Sequence, residues 1–514
     1  MLDKNVRNPV FLGTIYLMES VVSKSNIGEL GNLSAQESLE PATVESLRYR
    51  YRWAIYGGLN LLIFLFVAVA SVFSTQDQHN PFIYLVLLFA LCSAPAVLIK
   101  ETNGPYSLLL VSGPILFLFY GFNDLAAYFI YLPNHWHAEN NVIITTAELT
   151  ILVGFIFLFW GYISGVKFFP LKKNHFLTSD WSTGWTVIIG LCCILLGLMG
   201  TWGFQLSSHD GSVSSKVSPL VVTIQVLARM LEPVGVVLLS YAYLKTRSFS
   251  LFIIVVSIAA IKLPLGIILN SKEIGISFIA IFIMTKWIYD GKLPYSWIVT
   301  LIIIVTLYFP FSYAYRATIG DRQMSVAKSI EKADVYLGKA AKQNKKNGGI
   351  ASGVQSVAGR LDLKSLMELI VSRTGKDVRY QNGYTLIELP LVFIPRMIWP
   401  GKPAVAAGQL FNQEFKISAN PKTYISTSFF GEMYWNFGWL GVSLGMFAIG
   451  CFWGGIGKFT NIFEHKNVTR MLLLISAIYL LILRFEAGIA QQFILFLRSG
   501  LIVLILHLIF RNRL

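Results

Sequence analysis

Apolar residues form long continuous runs along this chain, separated by short polar turns. Most runs hold about 20 residues, the length that an α-helix needs to cross the hydrocarbon core of a bilayer. The apolar positions are continuous rather than alternating, which favours helices over strands. Twelve spans are predicted: Trp53–Phe73, Pro81–Ile99, Tyr106–Leu132, Ile143–Ser164, Trp185–Phe204, Pro219–Leu244, Leu251–Asn270, Ile274–Tyr289, Trp297–Tyr315, Gly431–Gly457, Arg470–Leu483 and Ala490–Phe510.

Lysine and arginine are concentrated in every second loop between the predicted spans. Short loops rich in these residues are expected on the cytoplasmic side of a membrane. The intervening loops 74–80 and 133–142 hold neither residue type. Both termini are therefore predicted to be cytoplasmic.

Composition agrees with a membrane protein. Of the 514 residues, 55% are hydrophobic and 13% charged, against about a quarter charged in soluble proteins. Four cysteines all lie within predicted spans and form no disulfide or metal-binding pattern: Cys92, Cys192, Cys193 and Cys451. No signal peptide is expected, and the segment Val10–Met18 is compatible with an interfacial helix or with a disordered tail.

The chain is predicted to divide into four parts. An N-terminal cytoplasmic segment, 1–52, precedes nine membrane helices in 53–315, and three further helices with a short cytoplasmic tail occupy 431–514. Between them lies a loop of 115 residues, 316–430, predicted to be extracytoplasmic. It holds 17 Lys or Arg against 8 Asp or Glu, a net charge of +9, out of +15 for the whole chain.

Two segments of this loop have recognisable patterns. Leu361–Val371 has apolar residues at helical spacing, which predicts a helix. Leu386–Ile398 is apolar enough for a re-entrant or interfacial helix, but it is too short for a span and contains prolines.

The cations of the loop and its borders predict an anion site, because the planar guanidinium of arginine can bond two phosphate oxygens at once. These residues are Lys272, Arg316, Arg322, Arg379 and Arg396. Arg484 and Arg498 lie in or beside predicted spans, where an ionisable residue is costly and often functional. As alternatives, Arg484 pairs with Glu486, Arg498 extends to the interface, and the loop cations bind lipid headgroups.

Three stretches of the chain carry motifs that point to one family. Gly383-Tyr384 is followed by Ile394-Pro395-Arg396-Met397-Ile398-Trp399-Pro400-Gly401-Lys402-Pro403. Gly431-Glu432-Met433-Tyr434-Trp435-Asn436-Phe437-Gly438 opens the next span, and Asn270-Ser271-Lys272-Glu273 is the third stretch. On these residues, within 250–510, the chain resembles the Wzy-type polymerases of lipid-linked oligosaccharide repeat units. The third stretch has Asn and Lys where the family has Gly and Arg.

The resemblance implies an all-α enzyme of the bacterial inner membrane, similar in fold to GT-C-type membrane glycosyltransferases. Such enzymes transfer a growing glycan from polyprenyl diphosphate to the non-reducing end of a new lipid-linked unit. They need no metal, cofactor or nucleotide sugar. The implied partners are the lipid-linked donor and acceptor, membrane lipid and a chain-length regulator, with no nucleic acid. Among the motif residues, Arg396 is assigned to catalysis and Tyr384, Lys402 and Tyr434 to substrate binding.

This chemistry can be supplied by few groups. Diphosphate is a good leaving group, so charge stabilisation by fixed arginines matters more than a general acid. A base must take or orient the proton of the acceptor hydroxyl. Residues 316–430 hold no histidine, which leaves Glu388, Glu414 and Glu432 as candidates. Glu432 is favoured because it lies at the membrane edge beside Tyr434; the alternative is a carboxylate that complements a helix dipole.

Other functions are compatible with a cation-rich membrane protein. A ligase that transfers glycan to lipid A or protein uses similar chemistry, but the related ligases look to a loop histidine. A lipid-linked oligosaccharide flippase or transporter would line a central cavity with its cations, and a non-catalytic scaffold is a further alternative. Arg229 and Glu232 are expected to pair on one helix face, and Asp124 is expected to mark a break in the third span.

Overall fold

The computed structural model describes residues 41–73, 80–99, 107–128, 140–169, 180–209, 219–268, 272–319 except 293, 342, 359, 361–391, 394, 399, 406–463 except 422, and 466–510. The chain divides into two units, 1–54 and 55–514. The contacts described below lie within the second unit. The predicted segment Val10–Met18 lies outside the described residues.

The described residues are helical, apart from turns, coil and an isolated β-bridge between Thr374 and Val378. The α-helices are, in chain order, α1 (Pro41–Phe73), α2 (Phe82–Leu98), α3 (Ser107–Tyr120), α4 (Phe122–Ala127), α5 (Asn141–Phe168), α6 (Thr183–His209), α7 (Pro219–Thr246), α8 (Phe249–Ile268), α9 (Lys272–Asp290), α10 (Tyr295–Ile319), α11 (Leu363–Arg373), α12 (Glu388–Leu391), α13 (Ala407–Phe415), α14 (Phe429–Leu440), α15 (Met446–Thr460), α16 (Val468–Ala477) and α17 (Ile489–Phe510).

Seven helical segments of the described chain are long and apolar enough to cross a membrane: α1, α5, α6, α7, α8, the continuous α14–α15 segment and α17. A polytopic helical membrane protein is thus confirmed as the fold class. The other five predicted spans also fall on helices, but these helices are not both long enough and apolar enough to be counted with the seven. Those in α2, α3 and α16 are apolar but shorter, the apolar part of α10 is limited to Tyr295–Phe309, and α9 carries charged residues at both ends.

Several helices are interrupted, and one of these interruptions was predicted. The third span breaks at Gly121, between α3 and α4, close to Asp124 as expected. In the segment Leu386–Ile398 the described helix is limited to the four residues of α12. Two π-helical segments, Gly441–Gly445 and Ile478–Ile482, join α14 to α15 and extend α16.

Helices α5 and α15 pack with their backbones in contact through four glycines. Gly161 and Gly165 on α5 face Gly450 and Gly454 on α15, and both pairs have the Gly-x-x-x-Gly spacing. A Cβ at any of these positions would overlap a backbone carbonyl oxygen of the other helix. Membrane helices use such small residues to approach closely and gain van der Waals contact. These two helices therefore form a closely packed pair within the bundle.

A second close contact joins α6 to α7. A Cβ at Gly197 would lie 2.5 Å from Cβ of Glu232, and one at Gly200 would lie 2.6 Å from Cβ of Ala228. One turn further along, a Cβ at Gly235 would lie 2.6 Å from the carbonyl oxygen of Gly190. The rotation of α7 about its own axis is therefore set by its contact with α6.

Polar contacts between turns form two groups at opposite ends of the helices. In the first group, Asp180 before α6 pairs with Lys245 at the end of α7 at 2.8 Å. Asp180 also accepts a hydrogen bond from the N–H of Val468, where α16 begins, at 3.3 Å. Arg247, between α7 and α8, pairs with Asp290 at the end of α9 at 3.2 Å.

The second group joins the other helix ends. The hydroxyl of Tyr128, after α4, donates to Asn80, before α2, at 2.6 Å. The N–H of Ser428, before α14, donates to the carbonyl of Glu486, before α17, at 2.7 Å. In both groups the turns that meet are turns that the sequence predicts on the same side of the membrane.

Helix α11 of the long loop confirms the predicted periodicity of Leu361–Val371. It begins at Asp362, whose carboxylate accepts from the N–H of Ser365 at 3.0 Å and caps the helix. The same carboxylate accepts from the side-chain amide of Asn123, in α4, at 2.9 Å. The start of the loop helix is thus attached to the membrane bundle.

Lys364, in the first turn of α11, is buried among carboxylates. Its Nζ lies 2.6 Å from Asp124, 2.8 Å from Glu148 on α5 and 3.9 Å from Glu368, and 4.9 Å from the centroid of the Tyr84 ring. Burial opposes the positive charge, but these carboxylates outweigh it and raise the pKa of Lys364 above its usual value. The lysine therefore stays cationic and joins α11 to α4 and α5.

We expect Gly161→Ala and Gly450→Ala to destabilise the protein by about 1–3 kcal/mol each, as overpacking of a filled core does. The added methyl group has to separate α5 from α15. The measurement is the thermal midpoint of the purified protein in detergent. Gly184→Ala is the matched control, because a Cβ at this helical glycine meets no atom within 4 Å. Equal midpoints for all three variants would contradict this role of the glycines.

Lys364→Met should destabilise the docking of α11 by about 3–5 kcal/mol, because it leaves buried carboxylates without their central cation. Limited proteolysis of residues 361–391 and the thermal midpoint are the measurements. Lys376→Met, at an exposed position of the same loop, should change neither. Adding Glu148→Gln to Lys364→Met should recover part of the loss. A loop in Lys364→Met as protected as in wild type would show that the cluster does not hold α11.

Candidate functional site

A cavity of about 330 Å³ lies inside the bundle between α7, α9, α16 and α17. Its apolar wall includes Met230, Ile281 and Leu480. Its polar lining consists of arginine, serine, tyrosine and glutamine side chains from separate parts of the chain: Arg229, Arg484, Ser476, Ser499, Tyr479 and Gln491. Ligand pockets span roughly 300–1,000 Å³, so this volume suits a compact polar group rather than a whole lipid.

The two arginines reach the cavity from different elements of the fold. Arg229 lies on α7, and Arg484 lies in the turn between the π-helical segment and α17. The Arg484 guanidinium lies over the ring of Tyr479, 5.2 Å from its centroid, a cation–π contact that orients the side chain. Arginine pairs well with phosphate and carboxylate groups. The cavity therefore has the chemistry of an anion site inside an apolar bundle.

Gln491 connects this cavity with the long loop 316–430. The hydroxyl of Tyr424, which lies between α13 and α14, donates to Oε1 of Gln491 at 2.9 Å. Burial raises the pKa of Tyr424 to about 12, and the nearby carboxylates of Glu432 and Glu486 add to the shift. The hydroxyl is therefore protonated near neutral pH and remains a donor. Tyr424 of the long loop thus helps to orient the side chain of Gln491 in the cavity.

Glu432 is fully buried in the first turn of α14. Its Oε2 accepts from the N–H of Ile489, the first residue of α17, at 2.7 Å, and from the hydroxyl of Thr427 at 3.5 Å. A carboxylate at a helix start satisfies an N–H that has no partner within the helix and complements the helix dipole. Glu432 therefore ties the start of α17 to α14, two residues before Gln491, and it does not line the cavity.

The loop segment 381–383 supplies hydrogen bonds where α14 is broken. Gly438 has φ 62° and ψ −144°, so helical geometry stops there and the carbonyls before it need other partners. The N–H groups of the first two residues of this segment donate to the carbonyls of Trp435 and Asn436 at 3.0 and 3.2 Å. The break in the helix and the attachment of the loop therefore depend on each other.

The side chain of Asn436 strengthens this attachment. It is fully buried, accepts from the N–H of Gly383 at 2.8 Å and donates to the hydroxyl of Thr385 at 2.8 Å. These contacts fix the backbone that carries Tyr384 and leads to Glu388. In this chain, the residues 431–438 that carry part of the family resemblance thus attach the loop and cap α17.

The structure separates the candidates predicted from the sequence. Arg484 lines the cavity, whereas Arg498, half-buried on α17, is not part of its lining. Arg379 and Tyr384 are exposed on the loop, and Glu388 is half-buried at the start of α12. The described cations predicted to converge therefore lie apart: Arg484 lines the cavity, Arg379 lies on the loop surface and Arg498 lies elsewhere on α17.

Other candidates are buried, exposed or outside the described part. Tyr434 is buried in α14, and Glu414 is exposed on α13. Lys272 begins α9 and Arg316 lies near the end of α10, with side chains outside the described part. Three further candidates lie outside the described residues: Arg322, Arg396 and Lys402.

Arg229 was not predicted as a site residue, and its expected pairing with Glu232 is wrong. Glu232 instead pairs with Lys262 on the neighbouring helix α8, and Arg229 lines the cavity. The sequence did hold a signal for Arg229, because an arginine within a predicted span is a candidate functional residue. Tyr424 and Gln491 gave no such signal, because their contact joins residues 67 positions apart.

Comparison with known proteins gave no match: no family model, no curated protein and no solved structure matches the chain.

We expect Glu432→Ala to lower the stability of the protein by about 1–3 kcal/mol, the usual effect of leaving a buried hydrogen-bonding group unsatisfied. Glu432→Gln keeps an oxygen that can accept from Ile489, so it should retain most of that stability. Thermal midpoints in detergent measure both changes. Glu414→Ala, at an exposed glutamate, is the control. Equal losses for Ala and Gln at position 432 would contradict a capping role.

Proposed function

We propose that this chain is a membrane glycosyltransferase that polymerises lipid-linked oligosaccharide repeat units. It would transfer the growing glycan from polyprenyl diphosphate to the non-reducing end of a new lipid-linked unit. The observation that carries the proposal is the cavity in which Arg229 and Arg484 meet inside an apolar bundle. Preorganised cations in a water-poor site stabilise the charge that develops on a departing diphosphate.

The proposal includes twelve spans in a bacterial inner membrane, a GT-C-like arrangement, cytoplasmic termini and an extracytoplasmic loop 316–430. The two groups of contacts between turns support it, because each joins turns on one predicted side. Asp180 and Lys245 belong to the side rich in basic turns. Ser428 and Glu486 belong to the side of the long loop.

The roles in this reaction follow from position. Arg229 and Arg484 bind the diphosphate of the donor, and the loop cations bind the lipid-linked acceptor. Glu388 is the better placed candidate base, since it is half-buried on the loop whereas Glu432 is enclosed and caps α17. The base must reach the acceptor hydroxyl directly or through one water. Helix α12, which begins with Glu388, packs against α17, which carries Gln491.

A lipid-linked oligosaccharide flippase is the second candidate. The observation that favours it is the same cavity, because a flippase needs cations inside the bundle rather than on a loop. The long loop docked by Lys364 favours the enzyme, since a transporter has no evident use for it. Reconstituted liposomes distinguish the two: a flippase moves a lipid-linked unit between leaflets, and a polymerase lengthens it.

The test of the enzyme uses purified protein and polyprenyl-diphosphate-linked repeat units, with the product ladder resolved by gel. We expect Arg484→Ala to lower the rate about 10²–10³-fold, as removal of one charge-stabilising donor does. Arg484→Lys should also be impaired, because lysine lacks the planar fork of arginine. Rates are measured per molecule of folded protein.

Two comparisons make this test specific. Arg247→Ala, in the exposed turn between α7 and α8, should leave the ladder unchanged. Arg498→Ala should reduce the rate less than Arg484→Ala, because Arg498 does not line the cavity. A wild-type ladder from folded Arg484→Ala would remove the cavity from the reaction. Absence of any ladder with wild-type protein, together with movement of units across liposomes, would favour the flippase.

A further inference from the structure

A buried ion pair lies one helical turn from the cavity arginine on α7. Lys262 on α8 is 1% exposed, and its Nζ contacts Oε1 of Glu232. Charges in an apolar interior are stable only when paired, so each side chain depends on the other. Neither residue lines the cavity. The pair is therefore separate from the site described above, although it lies beside it.

The packing of α7 places Arg229 and Glu232 in different surroundings. The backbone at Ala228 and Glu232 is held against Gly200 and Gly197 of α6, so α7 has no freedom to rotate. With this rotation fixed, Arg229 lines the cavity and Glu232 meets Lys262. Residues three apart on a helix are nevertheless close enough to form an ion pair. Glu232 therefore contacts Lys262 on α8 and lies three residues from a second cation, Arg229, on its own helix.

We propose that Lys262 is a positioning residue for the anion site: by pairing with Glu232 it keeps that carboxylate away from Arg229. The inference rests on the proposed diphosphate site and adds a residue to it. Without Lys262, the buried carboxylate would take Arg229 as its nearest cation on the same helix. The cavity would then lose much of the positive charge that attracts a diphosphate.

The probe for the test is farnesyl diphosphate, added to the purified full-length protein in detergent, with farnesol as the control without phosphate. Lys262→Met should raise the dissociation constant for farnesyl diphosphate on the order of tenfold, the size expected for coupled charges in one network. Lys262→Arg keeps the cation beside Glu232 and should bind like wild type. Farnesol binding should be the same for all variants.

Double variants separate positioning from a merely structural role. In an Arg229→Ala background, Lys262→Met should add little further loss, because its effect passes through Arg229. Glu232→Gln added to Lys262→Met removes the competing carboxylate and should restore binding. A structural role predicts the same loss in both backgrounds, or a lower thermal midpoint with an unchanged dissociation constant. Either result would overturn the proposal.

The outcome is distinguishable from that of the proposed function. If the expected coupling is found but no polymer ladder forms, Lys262 positions an anion site and the polymerase assignment fails. If wild-type protein binds farnesyl diphosphate no better than farnesol, the cavity is not a diphosphate site and the role of Lys262 fails with it.

Discussion

The close contact between α5 and α15 is the constraint on which the rest of the structure depends. Because Gly161 and Gly450 have no side chains, the two helices approach until backbone meets backbone. Helix α11 then lies on α5 and on α14, the segment that continues into α15: Lys364 reaches Glu148 on α5, and Ile370 fills the space above Gly431 on α14. A wider separation of the two helices would remove the surface on which the loop helix is seated. Packing inside the bundle therefore decides the position of a loop outside it.

Three groups of charged residues inside the bundle have different tasks. The cluster around Lys364 carries more carboxylates than cations and holds an element in place. The pair of Glu232 and Lys262 is balanced and joins two helices. In the cavity, Arg229 and Arg484 are two cations that line the same space, which is an arrangement that attracts an anionic ligand. In membrane proteins, ionisable residues inside the membrane usually pair with one another or mark a functional site.

The sequence predicted the helices well because hydrophobic runs and basic turns are local signals. The helix at Leu361–Val371 was predicted from periodicity, and the break near Asp124 from the stretch Gly121-Phe122-Asn123-Asp124. The meeting of Arg229 with Arg484 could not be read this way, since it depends on which face of α7 packs on α6. The glycine pairs were visible as Gly-x-x-x-Gly spacings, but a spacing alone does not identify the helix that it contacts.

The π-helical segment Ile478–Ile482 holds one residue more than an α-helical turn requires, and it ends two residues before Arg484. The additional residue rotates all the side chains that follow it about the helix axis. Loss of one residue there would restore regular helix and turn the following side chains by about 100°, the rotation per residue of an α-helix. Arg484 would then face another direction, although its neighbours in the chain were unchanged. In homologous chains, the length of this segment is therefore as informative about the cavity as the identity of the arginine itself.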